Sequence, residues 1–229
     1  MPSSIPSVRR AWTHADEEQH LDSPVEAWWW WGQAGDGSAG VFVGFEIRGG
    51  RFDYWAGLVR TGEPYLYISE LAGTDLRGGL EIKPPEMWAD HMCDAPFQQW
   101  SLGNEAHGVL LDDPLEAWRR AYGVPVPVTF DIEWYAASEP EACGSGEPGQ
   151  MGYRQLGEVD CRIQLTSGIL EIVGPAERVH VWGASYLPAL RAMPVSSEGL
   201  RAPYRRSDGI LVDQVCTDRW WVSTAGRAA

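Results

Sequence analysis

The sequence predicts an all-β fold, an antiparallel barrel of roughly ten strands with one flanking helix, and three observations carry that expectation. Short runs rich in Val, Ile, Tyr, Phe and Trp recur from Val25 onward, as pleated strands require. Gly, Pro and Asp punctuate them at Gly35–Gly37, Gly49–Gly50, Gly62–Pro64, Gly73–Asp75 and Gly78–Gly79, a spacing suited to sequential hairpins. A single stretch combines helical spacing with capping residues.

In chain order, residues 1–22 are polar and Pro/Ser-bearing and read as an arm outside the core. Residues 23–229 read as one barrel domain. In Val41–Arg48, Val41, Val43, Phe45 and Ile47 share a face, and Gly49-Gly50 then turns the chain into a partner strand over 51–60. Tyr65–Glu70 reads as another strand. Asp112 or Asp113 as cap, Pro114 in the first turn, Leu115, Trp118 and Tyr122 at helical spacing and Gly123 as the stop define the helix. Over 126–134, Val126, Val128, Phe130, Ile132 and Trp134 face one way and Thr129, Asp131, Glu133 and Tyr135 the other. Residues 142–152 read as a long loop, followed by strands at 153–165, 169–173, 178–182, 210–215 and 220–223. The strands after that loop are too few for a second core, and no repeat of fixed period is present.

Charge and motifs exclude several functions. The net charge of −14, from 32 acidic and 18 basic residues, disfavours nucleic acid and anionic membranes as partners. Cys93, Cys143, Cys161 and Cys216 lack metal-ligand spacing, so reduced thiols are expected. With neither an apolar leader nor a run long enough to span a bilayer, a cytoplasmic location is expected. HExxH, Walker and GxSxG motifs are absent and no GxGxxG leads from a strand into a helix, so no metal and no cofactor is expected.

Thirteen tryptophans remain to be explained, four of them consecutive at Trp28–Trp31. Alternation sends two of the four to each face of a strand, so either the outside is covered or a ligand fills the inside. Ordinary core packing accounts for many indoles; the functional alternative is an aromatic wall around an apolar or transiently cationic substrate. Trp55, Trp100, Trp134 and Trp182 are the candidates for that wall. Arg178, His180 and Trp182 alternate onto one face, where His180 could act as acid, base or donor near neutral pH, or serve only to hold a barrel end shut. Tyr67 and Glu70 are candidates for a hydrogen bond or a proton. Glu133, Asp131, Asp160 and His107, which shares a face with Glu105, complete the set, a carboxyl being a usable acid if the barrel desolvates it.

The pattern Tyr153-Arg154-Gln155-Leu156-Gly157-Glu158-Val159, then Gly168, Gly174 and Arg178-x-His180-x-Trp182-Gly183, resembles the lipocalin-like family of carotenoid 1,2-hydratase and AttH-type proteins. Trp88, Asp94–Trp100 and Asp131-Ile132-Glu133-Trp134 are similar to that family's middle strands, and the likeness spans about residues 25–183. It implies a lipocalin-like barrel acting on polyene, isoprenoid or polyketide substrates in natural-product or antibiotic biosynthesis. The chain carries one such unit and not two, and Ala184-Ser185-Tyr186 stands where those relatives often have an Arg-Asp pair. The expectation is therefore a cofactor-independent cyclase (isomerase) that holds an apolar substrate in a reactive shape. The alternatives are a hydratase (lyase) of an isoprenoid double bond, a carrier of an apolar ligand, and a carbohydrate-binding sandwich with a surface row of aromatics. A homodimer is left open.

Overall fold

The computed structural model describes residues 11–60, 63–74, 76–112, 116–117, 120–142, 149 and 151–183, and the strand backbones at 204–205, 211–217 and 220–225. The strands are β1 (Val25–Gln33), β2 (Ala39–Arg48), β3 (Arg51–Arg60), β4 (Tyr65–Gly73), β5 (Leu76–Arg77), β6 (Glu81–Ile82), β7 (Met87–Ala95), β8 (Gln99–Leu111), β9 (Val124–Ala136), β10 (Glu141–Ala142), β11 (Met151–Leu165), β12 (Gly168–Trp182), β13 (Tyr204–Arg205), β14 (Leu211–Thr217) and β15 (Trp220–Ala225). A ring closes in the order β1-β2-β3-β4-β8-β9-β11-β12 and back to β1, every pair antiparallel. This is the lipocalin-like all-β architecture. β8 forks the ring: Val109–Leu111 pairs with β4, whereas residues 99–106 pair with β7, from which β6 and β5 extend as a wing. β10 pairs with β11 beside the ring, and β13-β14-β15 pair in a separate sheet.

Local sequence explains the joints. Gly49 and Gly50 have φ of +56° and +76°, the left-handed pair that a two-residue hairpin demands, and Arg48 pairs with Arg51 across them. Pro125 and Pro127 begin β9 before its pairing with β11 starts at Val128, where a missing N–H costs no ladder bond on that side. The two strands expected at 169–173 and 178–182 are one continuous β12, and its Pro175 stands just beyond Ala176, the last residue paired to β1.

The inner face follows period two around the ring. Trp28, Trp30, Val43, Phe45, Tyr54, Leu66, Ile68, Trp100, Leu102, Phe130, Ile132, Trp134, Val159 and Cys161 form one buried cluster. A second cluster lies on the outer face of β1 to β4 and β12, with Trp29, Trp31, Phe42, Trp55, Tyr65, Tyr67 and Val181. The four consecutive tryptophans are thus split two and two, and all four are buried. Both faces of this wall are covered.

Two expectations are corrected. The described residues of the stretch 112–123 contain no α-helix; Glu116 and Ala117 form a 3₁₀ turn, and Ala121 takes a left-handed φ of +48°. So short a segment depends on burying an apolar face, and its described part buries Ala117 alone. Leu115 and Trp118 lie outside the described residues. The N-terminal arm is not peripheral either: Asp16 and Glu17 are buried. Among the described residues, no helix is long and apolar enough to cross a membrane.

Candidate functional site

One end of the barrel is stoppered by the arm. Thr13 donates from its backbone N and from Oγ1 to Asp16 Oδ2 (2.8 and 2.9 Å), winding His14–Asp16 into a single 3₁₀ turn. The turn aims Glu17 into the mouth. There Arg178 of β12 donates to both carboxylate oxygens, from Nη1 at 2.8 Å and from Nη2 in a shorter contact. Tyr153 Oη (2.9 Å), Trp100 Nε1 (3.3 Å) and the Phe97 backbone N (2.6 Å) donate to the same carboxylate. Gln155 Oε1 accepts from Arg178 Nε and Nη2 at 3.1 and 2.9 Å. Burial alone would raise the pKa of Glu17, but Arg178, Tyr153 and Phe97 outweigh it and hold the carboxyl below the usual range. The guanidinium also lies over the Trp134 and Tyr153 rings, 4.9 and 5.1 Å from their centroids.

Beside this pair, Glu26 of β1 meets two histidines. His180 Nε2 and His20 Nδ1 each lie 2.7 Å from Glu26 Oε1, and the His20 backbone N donates to Oε2 at 2.8 Å. His180 Nδ1 donates to the Asp16 carbonyl at 3.0 Å. Burial opposes ionisation of Glu26, yet the two histidines bring its pKa below the ordinary value. For His180, burial pulls the pKa down and Glu26 pushes back.

Deeper inside, the aromatic face carries polar atoms with no hydrogen-bond partner among the described residues: Nε1 of Trp28, Trp30 and Trp134, and Nε2 of His91. His91 comes from the wing strand β7 and donates Nδ1–H to the Leu80 carbonyl at 3.1 Å, so its Nε2 lone pair is left facing the barrel. Its ring stacks 5.6 Å from Trp30 and sits 5.5 Å from both Phe45 and Tyr54 on the opposite wall. Burial lowers its pKa to about 4, which keeps the imidazole neutral. Asn104 Nδ2 donates to Tyr54 Oη at 2.7 Å, and its Oδ1 accepts from the Phe130 backbone N at 3.3 Å.

The expected site residues divide by face. Trp100, Trp134, Arg178 and His180 point inward, and Trp182 stacks on His20 at the mouth, 4.0 Å between centroids. Trp55 and Tyr67 belong to the outer cluster, because the inward positions of β3 and β4 are the even-numbered ones. Glu70 is half-buried, on the opposite face of β4 from Tyr67, and pairs in register with Tyr54. Tyr67 and Glu70 therefore do not meet. Glu133 lies on the outer face of β9, where it accepts from Gln99 and Ser101. His107 is exposed in an outer groove of about 800 Å³, with Trp88, Glu105, Pro125 and Pro127. Cys93 and Cys161 are unbridged, and burial pushes the Cys93 thiol up to about 12; Cys143 lies outside the described residues, as does the side chain of Cys216.

Glu17, Glu26, His20 and His91 were not anticipated. Glu26 alternates with Trp28 and Trp30, and His91 with Met87 and Ala89, so a charged or titratable residue sharing a face with core residues was a readable signal. Nothing near Glu17 in sequence points to Arg178.

No protein-family model matches the chain, and no curated protein matches it. A solved structure from Nitrosomonas europaea, provisionally described as an AttH, is similar over 93% of this chain and 71% of its own, with 14% identity and a TM-score of 0.49.

Proposed function

We propose that the protein is a cofactor-independent cyclase that folds an apolar polyene, polyketide or isoprenoid chain against the inner aromatic face of the barrel. The observation that carries this reading is the set of polar atoms left over inside it. Buried donors and acceptors are normally paired, and leaving one unpaired costs about 1–3 kcal/mol. Three indole N–H groups and one imidazole lone pair inside the barrel have no hydrogen-bond partner among the described residues. A substrate with oxygen acceptors would take the indole donors, and a hydroxyl or an acidic C–H would meet His91 Nε2.

The chemistry asked of these groups is modest. Holding a flexible chain in its reactive conformation lowers the barrier by removing rotational entropy. Indole N–H groups aimed at a carbonyl oxygen stabilise charge that develops there, more strongly in a dry interior than in water. His91, kept neutral by burial, accepts a hydrogen bond or takes a proton. On this reading Arg178 and His180 act from the mouth, through Glu17 and Glu26, by fixing the end of the barrel against which the substrate is held.

A carrier would use the same interior without turnover. For the carbohydrate alternative, the exposed aromatic side chains among the described residues are Tyr122 and Tyr135, which make no row. The test compares, by accurate mass, the compound that accumulates when the gene is removed with the parent strain's product, then incubates that compound with purified protein. Conversion to an isomer of equal mass supports the cyclase. Gain of one water makes it a hydratase, and tight binding with no change of mass or retention makes it a carrier. His91→Phe should cut turnover by more than about tenfold in a folded protein; unchanged turnover would remove His91 from the site.

A further inference from the structure

We propose that His20, Glu26 and His180 form a binding site for a divalent transition-metal ion, zinc by its ligand chemistry, that fastens the N-terminal arm to the barrel mouth. The proposal does not rest on the cyclase reading. One ligand atom from each residue lies within 4.8 Å of the other two, so a single ion can reach all three. The residues come from three separate segments, the arm, β1 and β12, and an ion among them would tie the arm to two adjacent barrel strands.

Each donor is already aimed. His180 commits Nδ1–H to the Asp16 carbonyl, which leaves Nε2, now 2.7 Å from Glu26 Oε1, as the atom an ion would take, the arrangement metal-binding histidines adopt through an outer partner. The His20 ring is held flat on Trp182, with 9° between the planes, and Glu26 Oε2 is anchored by the His20 backbone N. Two imidazoles and a carboxylate suit zinc, with bonds of about 2.0–2.2 Å. Tetrahedral donors then stand about 3.4 Å apart, so the two 2.7 Å contacts to Glu26 Oε1 need open by only about 0.7 Å. Glu26 and His180 are buried, but His20 is 24% exposed, which gives the ion an entry path and a water its fourth position. Sequence spacing hides such a site because its ligands lie at positions 20, 26 and 180.

The experiment strips the full-length protein with a chelator and titrates it with Co²⁺. The expected result is one ion per chain, the intense visible d–d bands of a four-coordinate site, displacement by Zn²⁺, and a Tm that rises with Zn²⁺. His20→Ala, at the exposed edge, should weaken binding at least about tenfold, and Glu26→Gln, which keeps the side chain's size, should do the same and stands in if the first variant fails to fold. Absence of the bands and of any Zn²⁺-dependent Tm shift in the wild type would overturn the proposal. So would equal affinity in the wild type and a folded variant, because the ion would then bind elsewhere.

Discussion

His91 is a histidine the fold keeps uncharged, and that choice has a measurable consequence. Burial lowers its pKa to about 4, whereas the unfolded chain has the ordinary value near 6.5. Between those values the unfolded state binds the extra proton, so stability rises with pH across this window, by about 3 kcal/mol, and is fully present above it. His91→Gln should remove that rise, read as a denaturation midpoint that changes less between pH 4 and 6.5 than in the wild type. Arg178 is the opposite case, a buried charge matched by Glu17 and Gln155. Glu17→Gln leaves the guanidinium without its counter-charge and should cost about 3–5 kcal/mol in chemical denaturation. The double variant Glu17→Met, Arg178→Met should recover much of that loss, because no charge is then left buried.

At the scale of the elements, the barrel depends on bare backbone where indoles lie flat against a neighbouring strand. A Cβ on Gly157 of β11 would stand 2.4 Å from the Trp134 ring and from the Tyr135 carbonyl oxygen. Gly157→Ala should therefore destabilise by about 1–3 kcal/mol, as overpacking does in a filled core, with the effect visible in Tm. The strands themselves were legible, since a period of two in Val41–Ile47 and Val126–Trp134 is a local property of the chain. Which face of β4 turns inward was not, and neither was the place of Trp55, because a strand with large aromatics on both faces looks the same from either side. The expected helix misled for a related reason: caps and spacing permit one, but burial has to stabilise it.

At the scale of the molecule, the arm couples the mouth of the barrel to pH. Glu17 and Glu26 both have pKa values below the ordinary carboxylate value, so each contributes stability that is present above about pH 4.5 and is lost as pH falls through its folded pKa. Protonation takes away the acceptors through which Arg178 holds Glu17 of the arm and Glu26 holds His20 of the arm. Limited proteolysis should accordingly show cleavage within residues 11–24 increasing as pH falls below the ordinary carboxylate range, ahead of loss of the β-sheet signal in circular dichroism.

The sequence by itself determined the all-β class, the hairpin at Gly49-Gly50, the alternation of core and surface positions, and the placing of Arg178, His180 and Trp182 on one face of their strand. These follow from backbone sterics and side-chain period, which act over a few residues. Tertiary structure alone decided that Glu17 answers Arg178 across 161 positions, that His91 reaches Trp30 from the wing, and that His20 and His180 share one carboxylate oxygen. Ring closure brings these groups together, and closure depends on the pairing of strands far apart in the chain, for which no local pattern exists.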